Sequence, residues 1–384
     1  MKILFISTVK PHKGSGIGII EYTYQLENHI KPLLSKKDSI ENLYAISESK
    51  RNNIAGLIYA NTVFKNKLKK IKKNEYDIIH ITDPEIGFAA KILKKMKNKA
   101  KIITTIHDLT RFEKNLHKGF TQKIYNKLVQ GSISDAIKYS DFIICNSSQT
   151  KDTVKYRFKK RNKIKTILLG IDDSIINNKK NKLRNKKEFV IGYIGALMKH
   201  KNVMFILKAA EELKNSNYYK FNIYGTGADK QFLDNYKNIK KLNNVIFNGY
   251  VPEIDKSKIY DSFDAFIFPS LYEGFGLPII EAQARGLPVI IYKNGQISKE
   301  VRKYCFEAES PEHMAQLIEN FKENGYNEKQ RKMATAYTRS FTWEKCAKET
   351  LEVYKKIHNK NKIRLSVMKI LELGLRVHGQ NLEK

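Results

Sequence analysis

At 384 residues the chain is long enough for two domains of ordinary size, and 41% hydrophobic with 11% aromatic residues excludes a disordered polypeptide. Lysine and arginine outnumber aspartate and glutamate by 71 to 39, a formal net charge of +32 that favours phosphorylated ligands, anionic lipid or nucleic acid. No apolar run reaches the ~18 residues of a membrane-spanning helix, so none is expected.

The basic residues fall in runs at 65–73, 94–101, 156–165 and 178–187, each interleaved with other residues and spread along the chain. No zinc finger or RNP-like aromatic motif accompanies them, so nucleic acid is not the expected partner. Contact with an anionic membrane leaflet and a merely solvated surface both stay open. Cys145, Cys305 and Cys346 are odd in number and lack metal-type spacing. A reduced, cytoplasmic protein is expected, with the inner face of the membrane as its alternative place.

Lys2 to Ser7 reads as a first buried strand, too short an apolar run for a secretory signal. Gly14-Ser15-Gly16-Ile17-Gly18 follows, a turn whose glycines let backbone approach a ligand closely. It lacks the G-x-G-x-x-G dinucleotide fingerprint. Strand-like runs recur at Leu43–Ser47, Tyr76–Ile81, Ile102–Thr105 and Phe142–Cys145, separated by helix-like segments at 57–72, 84–97 and 121–139. Such alternation predicts a parallel, doubly wound sheet, with ligands at the carboxyl ends of its strands. At one of those ends stands Thr104-Thr105-Ile106-His107-Asp108-Leu109, where the histidine either contacts a polar substrate or packs and caps.

The stretch 173–187 is polar, charged and aperiodic, and is placed as a linker after a first domain over 1–172. A second domain then starts with a strand, Phe189 to Gly195, and a helix from about Asn202 to Lys214. The lysines of the turn between them, Lys199 and Lys201, either hold a diphosphate as point charges or are ordinary surface lysines. Phe221–Tyr224 ends in Gly225-Thr226-Gly227, another close-approach turn, and Val245–Phe247 leads into Gly249-Tyr250-Val251-Pro252.

Residues 264–291 carry the most chemistry. Ala265 to Phe268 reads as a buried strand stopped by Pro269, and a loop with Glu273, Gly274 and Gly276 follows. Pro278 then opens a helix over Ile279–Arg285, Gly286 stops it, and Val289–Ile291 begins the next strand. Free amides and the helix dipole make such a loop receptive to an anion. Glu273 and Glu281, with seven residues between them, approach a ligand from different sides, and the spacing suits one acid on a bound sugar's hydroxyls and one on a ribose. A helix near 311–322 and Phe341-Thr342-Trp343-Glu344 complete the second domain, predicted as 188–344. A basic tail over 345–384 contains Ile363, Leu365, Val367, Ile370, Leu371 and Leu375, an imperfect amphipathic segment.

Every fixed position of P-S-x-x-E-G-F-G-x-P-x-x-E-A is present between Pro269 and Ala282, and this stretch resembles the donor-site signature of retaining glycosyltransferase family 4. Thr104–Leu109, the turn from Gly195 to Asn202, the Gly249–Pro252 loop and Phe341–Glu344 resemble other segments of the same family, in its order. The resemblance implies a GT-B fold: two Rossmann-like doubly wound parallel-sheet domains facing a central cleft, with a last helix crossing back to the first. It implies transfer of a hexose, mannose first, from a GDP- or UDP-linked sugar to a glycan or lipid-linked acceptor, with retention. Neither cofactor nor metal is implied. His107 would lie beside the sugar, Lys201 would bind the diphosphate, and Glu273 would orient the sugar. Gly16, Gly195, Gly225, Tyr250, Val251, Gly274, Phe275, Gly276, Leu277 and Glu281 would complete the donor site. Many members carry Arg directly after the glycine at 195; here it is Ala196, and Lys199 or His200 is the available substitute. The competing expectation is a non-catalytic basic protein that binds membrane or nucleic acid.

Overall fold

The computed structural model describes residues 1–12, 18–46, 60–113, 120–159, 163–177 and 187–359. Gly16, residues 178–186 of the predicted linker and the apolar positions of the tail lie outside them.

Two six-stranded sheets form, and every strand pairing in them is parallel. The first contains β1 (Lys2–Ser7), β2 (Ser39–Tyr44), β3 (Ile78–Ile81), β4 (Lys101–Ile106), β5 (Phe142–Cys145) and β6 (Ile164–Thr166), ordered β2-β1-β3-β4-β5-β6. The second contains β7 (Phe189–Ile194), β8 (Tyr219–Tyr224), β9 (Val245–Gly249), β10 (Ala265–Phe268), β11 (Val289–Tyr292) and β12 (Phe306–Ala308), ordered β12-β11-β10-β7-β8-β9. The central strands β3 and β10 are buried throughout, β10 as a continuous apolar run and β3 as one interrupted only by His80. Chain direction across each sheet reverses at one place, between β1 and β3 and between β7 and β10. Those are the crevices where open α/β sheets bind ligands.

The edge strands departed most from expectation. The second strand is Ser39–Tyr44 rather than Leu43–Ser47, and its polar, half-buried sequence gave no apolar run. Strands β6 and β12, three residues each, were not predicted at all. Within the predicted linker, Asp173–Asn177 is helical and Ile175 is fully buried. None of the helices among the described residues is long and apolar enough to cross a membrane.

One core cluster runs through both sheets, from Ile3 and Tyr22 to Phe266 and Phe341. The chain passes between the sheets twice, side by side: the Ile171 amide donates to the Phe341 carbonyl at 3.1 Å. Gly170 is required there, since a Cβ on it would lie 2.1 Å from the Trp343 nitrogen. A helix over 343–359 then returns along the first sheet. Its Trp343 ring centroid is 6.2 Å from that of Tyr22, and its Tyr354 hydroxyl meets Nδ1 of His80 on β3.

His80 is completely buried, with Nε2 2.8 Å from the Thr105 hydroxyl. Burial, helped by neighbouring His107, pushes its pKa down to about 3. The folded protein therefore keeps His80 neutral while the unfolded chain protonates it below about 6.5. Stability should be lost as pH falls from that value, by about 1.4 kcal/mol per pH unit from this residue, levelling off near the depressed value. Denaturant titrations at pH 7 and pH 5 check this: His80→Gln should lessen the acid-side loss, and an unchanged difference would refute it.

Candidate active site

The sugar-site candidates gather at the second sheet's crevice. β7 is followed by Gly195, whose amide donates to Tyr224 O at 3.0 Å, and β8 by Gly225, whose amide donates to Gly249 O at 2.6 Å. Gly225 has φ +138°, and a Cβ there would lie 1.8 Å from the Gly195 carbonyl oxygen. Glycine is thus compulsory where these two turns touch. Beyond Gly195 a single 3₁₀ turn, Lys199–Lys201, ends at left-handed Asn202, whose amide group donates to the Pro269 carbonyl at 3.2 Å. That turn delivers Lys201 to the loop after β10. Its ammonium lies 2.6 Å from Glu273 Oε1 and 5.3 Å from the Phe268 ring centroid.

Glu273 is held from both ends. Its amide donates to Gln296 O at 2.9 Å, and only 8% of the residue is exposed. Tyr193, buried beneath, donates to Ala196 O at 3.0 Å; burial first and the Glu273 charge second raise its pKa well above the usual phenol value. The tyrosine therefore stays a neutral donor. Gly276, at φ +103°, turns the chain into the helix Leu277–Ala284, with Pro278 in its first turn as predicted. The Phe275 ring is buried with its centroid 5.9 Å from that of Phe341, which leaves the expected ligand contact to its backbone amide. Val251 is also buried, whereas Tyr250 is 53% exposed.

Glu281 lies on the buried face of this helix, with Oε2 accepting from the Tyr260 hydroxyl at 2.7 Å and Oε1 3.3 Å from the Lys256 ammonium. Lys256 also pairs with Glu253 at 2.8 Å. Burial opposes the Lys256 charge, but the two carboxylates outweigh it and hold the group above its ordinary value. Sequence reading missed this cluster. Lys256 and Tyr260 sit four residues apart on the helix Lys256–Asp261, hence on one face, which was the available signal.

His107 follows β4 across the cleft and is 6% exposed. Its Nε2–H donates to Thr82 O at 2.9 Å, and the Tyr22 ring stands edge-on with centroids 4.7 Å apart. Its carbonyl touches the second domain: a Cβ on Gly274 would lie 2.0 Å from His107 O. The Thr150 hydroxyl is 3.4 Å from both the His107 and Gly274 carbonyl oxygens. Nearby, the Ser148 amide at the start of the helix Ser148–Phe158 donates to Glu300 Oε1 at 3.2 Å, also across the two domains. Gly274 and His107 are thus brought together, along with Lys201 and Glu273. Glu281 stands in its own polar pocket one helical stretch away.

Two parallel, doubly wound sheets with charged side chains gathered at their strand ends have the architecture of the GT-B fold. The family model described as "Glycosyl transferases group 1" matches residues 174–341, and "Glycosyltransferase Family 4" matches 37–175. The chain belongs to this group 1, or family 4, of glycosyltransferases. It is 26% identical to the O-antigen biosynthesis glycosyltransferase WclY of Escherichia coli over 92% of this chain and 98% of that protein. It is 27% identical to an E. coli UDP-Gal:alpha-D-GlcNAc-diphosphoundecaprenol alpha-1,3-galactosyltransferase over 58% of this chain and 59% of the relative. An alignment with the E. coli O-antigen chain mannosyltransferase B, 26% identical, takes in 42% of this chain and 45% of that protein. Among solved structures, sucrose-phosphate synthase from Thermosynechococcus elongatus superposes with a TM-score of 0.76 at 16% identity, over 94% of this chain and all of that one. Anabaena HepE in complex with UDP and glucose gives 0.66 at 17% identity, over 93% and 100%.

Proposed function

We propose that this glycosyltransferase moves a hexose from a UDP- or GDP-linked sugar to a hydroxyl of a glycan or lipid-linked glycan, with retention, in cell-surface polysaccharide assembly. The observation that carries the reading is the Lys201–Glu273 pair, 2.6 Å apart in the crevice between β7 and β10. Departure of a nucleoside diphosphate develops negative charge, which fixed donors must meet. Lys201 and the amides from Gly274 to Leu277 serve that role without a metal, and Glu273 orients the sugar through its hydroxyls. Glu281 takes the ribose hydroxyls, and Gly195 and Gly225 let the diphosphate lie against backbone. A leaving-group oxygen takes the acceptor's proton, with His107 beside the sugar. The relatives named as O-antigen, mannosyl- and galactosyltransferases support a hexose and a polysaccharide setting. The net charge of +32 suits work at the inner face of an anionic membrane.

The test is a panel of nucleotide sugars, GDP-mannose first, read by thermal stabilisation and by slow release of nucleoside diphosphate. One donor should respond in the wild type. Glu281→Ala should weaken that response at least tenfold, because it removes the ribose acceptor and leaves Lys256 to Glu253 alone. Silence across the panel from a folded protein that binds anionic vesicles or RNA would favour the binding-protein alternative.

A further inference from the structure

The carboxyl edge of the first sheet holds a second polar constellation. Thr8 follows β1, Asp83 and Glu85 follow β3, and Asp108 and Arg111 follow β4, so adjacent strands deliver all five to the crevice between β1 and β3. The Arg111 guanidinium donates through NH2 to Glu85 Oε1 at 2.9 Å and through NH1 to Asn126 Oδ1 at 3.1 Å. It also lies 5.2 Å from the Tyr125 ring centroid, and the Tyr125 hydroxyl donates to Glu85 Oε2 at 3.4 Å. Among the described residues two of the five guanidinium N–H groups are used, and 23% of the side chain faces solvent. Asp108 Oδ1 receives both the amide and the hydroxyl of Thr110, at 2.9 and 2.6 Å. No hydrogen bond among the described residues falls on its Oδ2. Asp108 also abuts the sugar loop, since a Cβ on Gly274 would lie 2.9 Å from its own Cβ.

Resting on the glycosyltransferase reading, we propose that Arg111, Glu85 and Asp108 form a subsite for a neutral sugar ring of the acceptor. A fixed fork of donors beside carboxylate acceptors matches paired hydroxyls, which both give and take hydrogen bonds. Charge decides against a phosphate: Asp83, Glu85 and Asp108 stand against one guanidinium. Any phosphate of the acceptor is therefore held away from Arg111. The subsite touches the Gly274 loop, which places the ring's hydroxyl next to the sugar being transferred.

The test uses the full chain with the donor that responds above and octyl glycosides of common hexoses and N-acetylhexosamines, each neutral or 6-phosphorylated. At least one neutral glycoside should accept sugar. Arg111→Ala should raise the acceptor KM at least tenfold while the donor KM moves within twofold, and Arg111→Lys, which keeps charge but not the fork, should fall between. An unchanged acceptor KM, an equal rise in the donor KM, or transfer confined to phosphorylated glycosides would overturn the subsite. So would silence toward every neutral glycoside from an enzyme that releases nucleoside diphosphate. If the wild type releases none from any donor, the glycosyltransferase reading itself fails, and this subsite with it.

Discussion

Glu273→Gln is expected to lower kcat by about 10²–10³, the loss usual when one preorganised electrostatic partner is removed. The substitution keeps the volume and an oxygen to accept from Lys201, now 2.6 Å from Oε1. What it removes is the charge, and with it both the orienting force on a sugar hydroxyl and the anchor that fixes the ammonium. A full deletion would confound the result, because breaking a largely buried ion pair strands its partner. Glutamine avoids most of that penalty, so the melting temperature should move by only a few degrees, of the order expected for ~1 kcal/mol. Single-turnover release of nucleoside diphosphate separates the two effects. Loss in kcat with little change in donor KM marks an interaction made in the transition state. Normal turnover in a folded variant would remove Glu273 from the mechanism.

Gly274→Ala should act through geometry instead. The added methyl would stand 2.0 Å from the His107 carbonyl oxygen, a backbone atom that cannot rotate aside. The loop must retreat from the first domain or distort, at a cost of about 1–3 kcal/mol for the overpacking. With the donor on the second domain, as proposed, its affinity should fall modestly. Transfer, which needs both domains in register, should fall at least tenfold. Comparing the donor-induced shift in melting temperature with the rate of transfer distinguishes these. Equal retention of both would show that the contact has no role in catalysis.

These two residues were visible in the sequence, but the reason for their importance was only partly so. The E-x7-E spacing, the proline after the loop and the apolar run at Ala265–Phe268 marked the strand, turn and helix, because each is a local signal. The doubly wound architecture was legible for the same reason. Edge strands β2, β6 and β12 were not, since a strand exposed along one side needs no apolar run. Lys256 and Tyr260 also escaped notice: their partner, Glu281, is more than 20 residues on, and its helix is brought alongside only by folding. That the Phe275 ring packs on Phe341 was not legible either, because the two are brought together only by folding.

The two neighbouring passages of chain between the sheets make the second domain an insert within the first. The family models meet at residues 174–175 and the group 1 model stops at 341, where those passages lie. An insert held by two adjacent passages of chain can swing about the line joining them more readily than it can twist. Opening of the cleft should therefore follow one hinge axis, and carry Gly274 along an arc away from His107. The same closeness of Ile171 and Phe341 means that a few residues could join them directly, so the second domain is a natural unit to excise and exchange between relatives.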